Sequence, residues 1–242
     1  MTGALLEVRA VTKRFGGYVA LSEVSLTVRS GERLGIIGPN GSGKTTLINC
    51  ICGSLSSDGG SIGFDDIDVT RLACYRRTRL GIARSFQVPR PFTSMTLAEN
   101  IAVPLEYVAH RRSLHRADVA AEARSILAQM GLADRADAPT SSLTQVDLRK
   151  LELARALAAR PRLLILDEVM AGLSSVEVDE MIEIILGLSR QGVTIMMIEH
   201  IMRAIMRFST RVVCMDAGRV MTEGSPDQIV QDPDVQRIYL GD

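Results

Sequence analysis

The chain has 242 residues, 46% hydrophobic and 23% charged, an ordinary globular composition with room for one large domain or one domain plus an insertion. Lysine plus arginine and aspartate plus glutamate balance at 28 each, and aromatics are 4% with no tryptophan, so neither a large nucleic-acid-binding face nor a stacking platform for single strands is expected. No apolar run approaches the roughly 18 residues needed to span a bilayer, and residues 1–10 lack a signal peptide's basic start and long apolar stretch; the expectation is a cytosolic chain that meets a membrane only through partners.

Residues 6–11 and 24–28 alternate apolar and polar and read as strands. After Gly31-Glu32, residues 33–37 read as a short buried strand. Next comes Gly38-Pro39-Asn40-Gly41-Ser42-Gly43-Lys44-Thr45-Thr46, which fits G-x-x-x-x-G-K-[ST], the phosphate-binding loop. Its glycines let successive backbone N–H groups turn toward one anion, and the helix opened by Thr46-Leu47-Ile48 points its positive end at the same spot. Lys44 can then reach the terminal phosphates, and the Thr45 hydroxyl can ligate Mg2+. The bland alternative is a glycine-rich turn with a chance lysine; the strand before and the helix after argue against it.

Cys50, Cys52, Cys74 and Cys214 show no zinc-like pairing and read as reduced thiols. Residues 61–64 read as a strand, as do residues 81–86, which lead into Gln87. From about Pro89 to Leu157 the pattern turns helical. Thr96-Leu97-Ala98-Glu99 is a capping box. Val119, Ala123, Ile126, Leu127 and Met130 share one helical face, which Gly131 ends. Residues 110–116, with His110 and His115, read as a solvated basic connector.

Residues 163–166 and 194–198 are uninterrupted apolar runs, the mark of parallel strands covered on both faces. Between them Ser174-x-x-Glu177 caps a helix whose apolar face is Val178, Met181, Ile182 and Ile185. Residues 211–215 and 219–222 read as strands, and Ser225-Pro226 and Asp232-Pro233 start two short helices. The architecture expected is an α/β core with a helical insertion.

Asp167-Glu168 and Glu199-His200 end the two buried runs, at the rim where open α/β sheets bind ligands. Asp167 can hold Mg2+ through a water, Glu168 can orient and polarise an attacking water, and His200 can donate to a γ-phosphate. Alone, the acids are equally a turn start and the histidine a surface residue. Gln87 is placed to touch Mg2+ or water.

Together these residues resemble the nucleotide-binding subunit of ABC transporters over essentially the whole chain. Phe15, in Arg14-Phe15-Gly16-Gly17, matches the aromatic that stacks on adenine; Gln87 matches the Q-loop, Asp167-Glu168 the Walker B acids and His200 the switch histidine. Arg84-Ser85-Phe86-Gln87, the segment 95–100, Ala171-Gly172-Leu173 and the ending from Asp232 resemble the branch serving branched-chain amino acid importers. The resemblance implies a P-loop NTPase (RecA-like) core with an N-terminal antiparallel β region and an inserted α-helical subdomain. It implies one domain over 1–242, with the core at 1–88 and 158–242 and the helical signature subdomain at about 89–157. It further implies ATP and Mg2+ as cofactors, and a second ABC ATPase, identical or different, closing head to tail over two ATP molecules. Two membrane permeases and, indirectly, a periplasmic or lipid-anchored binding protein complete the expected partners. The subunit is then peripheral, on the cytoplasmic face of the inner membrane, and powers import of branched-chain or other hydrophobic amino acids.

The signature, usually L-S-x-G-Q, aligns with Leu143-Thr144-Gln145-Val146-Asp147. Thr144 keeps the hydroxyl; Val146 replaces a glycine whose missing Cβ lets the backbone approach a γ-phosphate. Asp147 adds a negative charge beside an anion, and Arg149 and Lys150 are the candidates to offset it. Equally, Thr144-x-x-Asp147 caps the helix. Val169 stands where proline is usual, Ile201 where aspartate is common, and Ser174 ends the D-loop. These departures point to two unequal ATP sites. Competing readings are the same ATPase role for urea, short amides or other small solutes, a soluble ABC protein of DNA repair or translation, and a nucleotide-gated regulatory subunit.

Overall fold

The computed structural model describes residues 3–85, 89–109 and 116–240; Phe86, Gln87, His110 and His115 therefore lie outside the described residues. Among these, the strands form two sheets. The first is antiparallel, in the order β2-β1-β4-β5, from β1 (Ala4–Phe15), β2 (Tyr18–Arg29), β4 (Gly59–Phe64) and β5 (Ile67–Asp68). β1 and β2 run well beyond the segments whose alternation is visible in sequence. Ala10 and Glu23 take positive φ, 47° and 54°, and the pairing register shifts between Val8 and Val11. Such bulges interrupt the period-two pattern by which strands are read.

The second sheet has the order β10-β9-β3-β8-β7-β6: β3 (Arg33–Ile37), β6 (Ile82–Arg84), β7 (Leu163–Asp167), β8 (Thr194–Ile198), β9 (Arg211–Asp216) and β10 (Arg219–Gly224). All its pairs are parallel except β9 with β10. Successive residues of β7 and β8 go to opposite cores. Leu164, Leu166, Ile195 and Met197 join one cluster, while Leu163, Ile165, Met196 and Ile198 join the other. Burial on both faces is why residues 163–166 and 195–198 are apolar throughout.

One core is built with α1 (Lys44–Cys52) and the antiparallel sheet. The other takes in α3 (Leu97–Ala109), α4 (Arg116–Gln129), α5 (Gln145–Ala158) and α6 (Ser175–Arg190), so α3 to α5, inserted between β6 and β7, pack on the face opposite α1. The capping boxes expected at Thr96/Glu99 and Ser174/Glu177 form, and a further one at Ser225/Gln228 opens α8 (Pro226–Gln231), with α9 (Pro233–Leu240) after it. Two helices were not foreseen, α2 (Cys74–Leu80) and α7 (Met202–Phe208). Arg77 of α2 is 2% exposed and donates to the carbonyls of Cys50 and Ile51 at 2.6 and 2.8 Å, closing the C-terminal end of α1.

Candidate active site

β3, β8 and β7 lie side by side and end level. Ile36 pairs with Ile198, and Ile198 with Asp167. The three loops leaving these strands therefore meet at one edge of the sheet, and each carries a segment singled out in sequence: residues 38–46, Asp167-Glu168 and Glu199-His200.

The first loop is shaped by two glycines. A Cβ on Gly38, at φ 148°, would lie 2.2 Å from the Met215 carbonyl, and one on Gly43, at φ 99°, 2.7 Å from the Ala20 carbonyl. Only glycine lets the loop settle this closely against β2 and β9 and leave an open backbone cradle. Lys44 is 6% exposed; its Nζ donates to the carbonyls of Gly38 and Pro39 at 2.7 and 2.9 Å. Burial pulls its pKa down, and the nearby Glu168, Cys214 and Asp167 act the other way. The ammonium is held at the mouth of the loop, where it can exchange a carbonyl for a phosphate oxygen.

A cleft of about 220 Å³ opens here, lined by Phe15, Tyr18, Ala20, Asn40 to Thr46, Glu168 and His200. Phe15, half exposed, lies 5.6 Å below the Lys13 ammonium, an apolar face suited to a flat heterocycle. Tyr18 was not singled out in sequence. It is 58% exposed, and its hydroxyl reaches the Gly41 carbonyl at 3.4 Å, so the cleft has a second aromatic wall.

Glu168 has φ 50°, a left-handed turn that costs a non-glycine residue energy. Its N–H donates to the Ile198 carbonyl at 2.9 Å, and the turn swings its carboxylate into the cleft. There Glu168 Oε1 lies 2.7 Å from His200 Nε2. A carboxylate so held can take a proton from water, and the imidazole can fix its orientation. Asp167, 3% exposed, pairs with Arg84 at 2.6 Å, and Arg84 also donates to Asn49 Oδ1 at 2.7 Å. Arg84 was quoted in sequence only as a branch resemblance; here it ties β6 to β7 and to α1.

Among the described residues no group of three or more histidine, cysteine or acidic side chains forms a metal cage. The exposed Thr45 hydroxyl in the first turn of α1 and the Asp167 carboxylate, which is held by Arg84 and does not line the cleft, are oxygen donors of the kind Mg2+ takes alongside waters and phosphate oxygens.

Thr144, Gln145, Val146 and Asp147 do not line this cleft. They open α5, where the Thr144 hydroxyl accepts the Asp147 N–H at 3.2 Å, the helix cap read from sequence. The expected charge balance is corrected. Lys150 pairs with Glu180 at 2.6 Å and Arg149 turns to the Ala171 carbonyl at 3.3 Å. Asp147 is instead offset by Arg135, whose Nη1 lies 2.6 Å from Asp147 Oδ2. Helical direction explains this. Position 149, two residues on, lies on the far side of α5 from position 147, while Lys150, three residues on, is buried and already held by Glu180.

The family profile described as "ABC transporter" matches residues 21–171, and one described as "Branched-chain amino acid ATP-binding cassette transporter" matches residues 219–242. The high-affinity branched-chain amino acid transport ATP-binding proteins LivG of Salmonella typhimurium and BraF of Pseudomonas aeruginosa are each 36% identical over 256 aligned positions covering the whole of both chains. Among solved structures, an ATP-binding cassette of an ABC transporter in its ADP conformation superposes with a TM-score of 0.89 at 30% identity over the full length of both chains. A dimeric cassette in a post-hydrolysis state bound to ADP and Pi gives 0.82 at 25% identity, over 91% of this chain and 98% of the other.

Proposed function

The chain belongs to the ABC transporter family of ATP-binding cassettes, and from that premise we propose that it is the ATP-hydrolysing subunit powering uptake of branched-chain or other hydrophobic amino acids through partner membrane permeases. One observation carries the reading. A glycine-shaped phosphate cradle, the buried Lys44 and the Glu168–His200 pair share one cleft, in a chain alignable end to end with LivG and BraF.

In this reading adenine stacks on Phe15, with Tyr18 beside it. The N–H groups of residues 40–46 and the positive end of α1 hold the phosphates. Lys44 bridges the terminal phosphates, Glu168 takes the proton of the attacking water, and His200 holds Glu168 and donates to the γ-phosphate. Thr45 and Asp167, with Gln87, would hold Mg2+, which supplies charge neutralisation on the phosphates.

ABC cassettes dimerise and work with membrane permeases. The position of Thr144 to Asp147 outside the chain's own cleft supports their acting on the ATP of a second ATPase subunit. A mostly apolar groove of about 370 Å³ lies between β6, α2, α3 and α5, lined by Cys74, Phe92, Val103, Tyr107 and Arg155 among others. Its exposed aromatics support docking of a permease helix there, which would hold the subunit at the cytoplasmic face of the inner membrane. No helix among the described residues is long and apolar enough to cross a membrane. A periplasmic or lipid-anchored binding protein would choose the solute.

Co-expression with the candidate permeases and partner ATPase, followed by reconstitution, tests the proposal. Solute-stimulated ATP turnover and uptake of leucine, isoleucine or valine are expected, both lost in Glu168→Gln. Assembly with permeases but transport of urea or short amides would move the substrate class; failure to assemble would sink the reading.

A further inference from the structure

Glu199 sits between β8 and His200 and is 2% exposed, yet the cleft chemistry does not use it. Its Oε1 accepts the Met170 N–H at 2.8 Å. One residue on, the Ala171 carbonyl accepts from Nη2 of Arg149, an α5 side chain whose residue is 8% exposed. Nε and Nη1 of that guanidinium are buried without hydrogen-bond partners among the described residues. Glu199 and Glu152 are the carboxylates that favour its charge, against the desolvation that opposes it.

A buried acid and a buried, half-satisfied arginine are poor packing elements. Apolar residues of similar size would usually stabilise the fold as well or better. Their placement gives them another use. Met170 and Ala171 are joined by one peptide bond. Its flanking groups, the Met170 N–H and the Ala171 carbonyl, are gripped by side chains from two different parts of the fold. One grip comes from the residue that joins β8 to His200, the other from α5, the helix capped by Thr144. The gripped segment starts two residues after Glu168 and continues to Gly172, where an added Cβ would stand 2.9 Å from Gln145 Nε2.

We propose that Glu199 and Arg149 are positioning residues which hold the Met170–Ala171 segment between them and so fix the loop carrying Glu168 relative to the segment Thr144 to Asp147. Movement of either end is passed to the other through a rigid backbone link. This rests on the transporter-ATPase reading, in which Glu168 serves one ATP and residues 144–147 the other.

The test is a double-mutant cycle in the reconstituted transporter. Glu199→Leu keeps about the bulk and removes the acceptor for the Met170 N–H. Arg149→Met keeps the bulk and removes the guanidinium. Each should lower kcat for ATP about tenfold with KM for ATP within about twofold, because neither residue lines the nucleotide cleft. The double variant should be no slower than the slower single, as two ends of one clamp require. Arg149→Lys should recover part of the rate. Affinity of the isolated chain for a fluorescent ATP analogue, and co-purification with the permeases, should stay at wild-type level; they would fail only if the transporter-ATPase reading itself were wrong. Wild-type kcat in Glu199→Leu, losses that multiply in the double variant, or a rise in KM at constant kcat would each overturn the inference.

Discussion

Arg135 and Asp147 are joined by a 2.6 Å ion pair at the opening of α5, and the same guanidinium donates to Ser142 through its second terminal nitrogen. The acid is favoured by the helix dipole and by Thr144, but a bare carboxylate there would repel a phosphate. Arg135, from the short 3-10 turn Ala133–Arg135, cancels that charge. Arg135→Ala should therefore lower ATP turnover of the assembled transporter about three- to tenfold, a change of roughly 0.7–1.4 kcal/mol in barrier. Adding Asp147→Asn should restore it. A loss that Asp147→Asn leaves in place would show that Arg135 acts through Ser142 alone.

With a different partner ATPase that keeps the signature glycine, Val146 would make the two ATP sites of the proposed pair unequal. The site built on this chain's own loop retains Lys44, Glu168 and His200; the opposite site meets a Cβ where the usual signature has glycine. Glu168→Gln should remove most turnover, on the order of a hundredfold or more if the base is lost. Val146→Gly should leave turnover near its starting value or raise it. Phosphate release by the reconstituted complex measures both. Near-normal turnover in Glu168→Gln would sink the asymmetry.

What could be read before the structure depended on whether the cause was local. The loop 38–46, the capping boxes and the doubly buried strands are short segments whose residues carry their own reason, so their positions and rim were legible. β1 and β2 were seen only in part because bulges at Ala10 and Glu23 break the alternation. Arg77, Arg84 and Arg135 were opaque for another reason. An arginine in sequence reads as surface, and its meaning here lies in distant acceptors: Arg84 and Asp167 are 83 residues apart. Tyr18 reads as an ordinary strand residue until the hairpin places it beside Phe15.

The four thiols divide sharply. Cys50, Cys52 and Cys214 are buried and Cys74 is exposed in the groove beside Tyr107. Burial raises the first three, Cys52 to about 12 and Cys214 to about 11, which keeps them protonated and slow to react. A maleimide at pH 7 should modify the native isolated chain once, at Cys74. The same label should be excluded when the chain is assembled with its permeases. Mass spectrometry reads both, and unchanged labelling on assembly would argue that the docked helix lies elsewhere.

Burial is the main reason the Glu199 carboxyl rises from an ordinary 4.5 to about 7, with Glu168 pushing the same way; the N–H groups of Met170 and His200 and the Arg149 charge oppose it. The folded chain therefore binds more protons than the unfolded chain between those two values. The stability this carboxyl contributes is fully present below about 4.5 and is lost as pH rises to about 7. The amount at stake is on the order of 3 kcal/mol. Glu199→Gln cannot ionise, so its melting temperature should match wild type near pH 5. By pH 8 it should exceed wild type by about 5–10 °C for a chain of this size. Thermal unfolding of the isolated chain across that range decides it, and a constant gap at every pH would remove Glu199 as the titrating group. With the slower turnover expected of Glu199→Leu, the result would place the acid where stability has been given up for position.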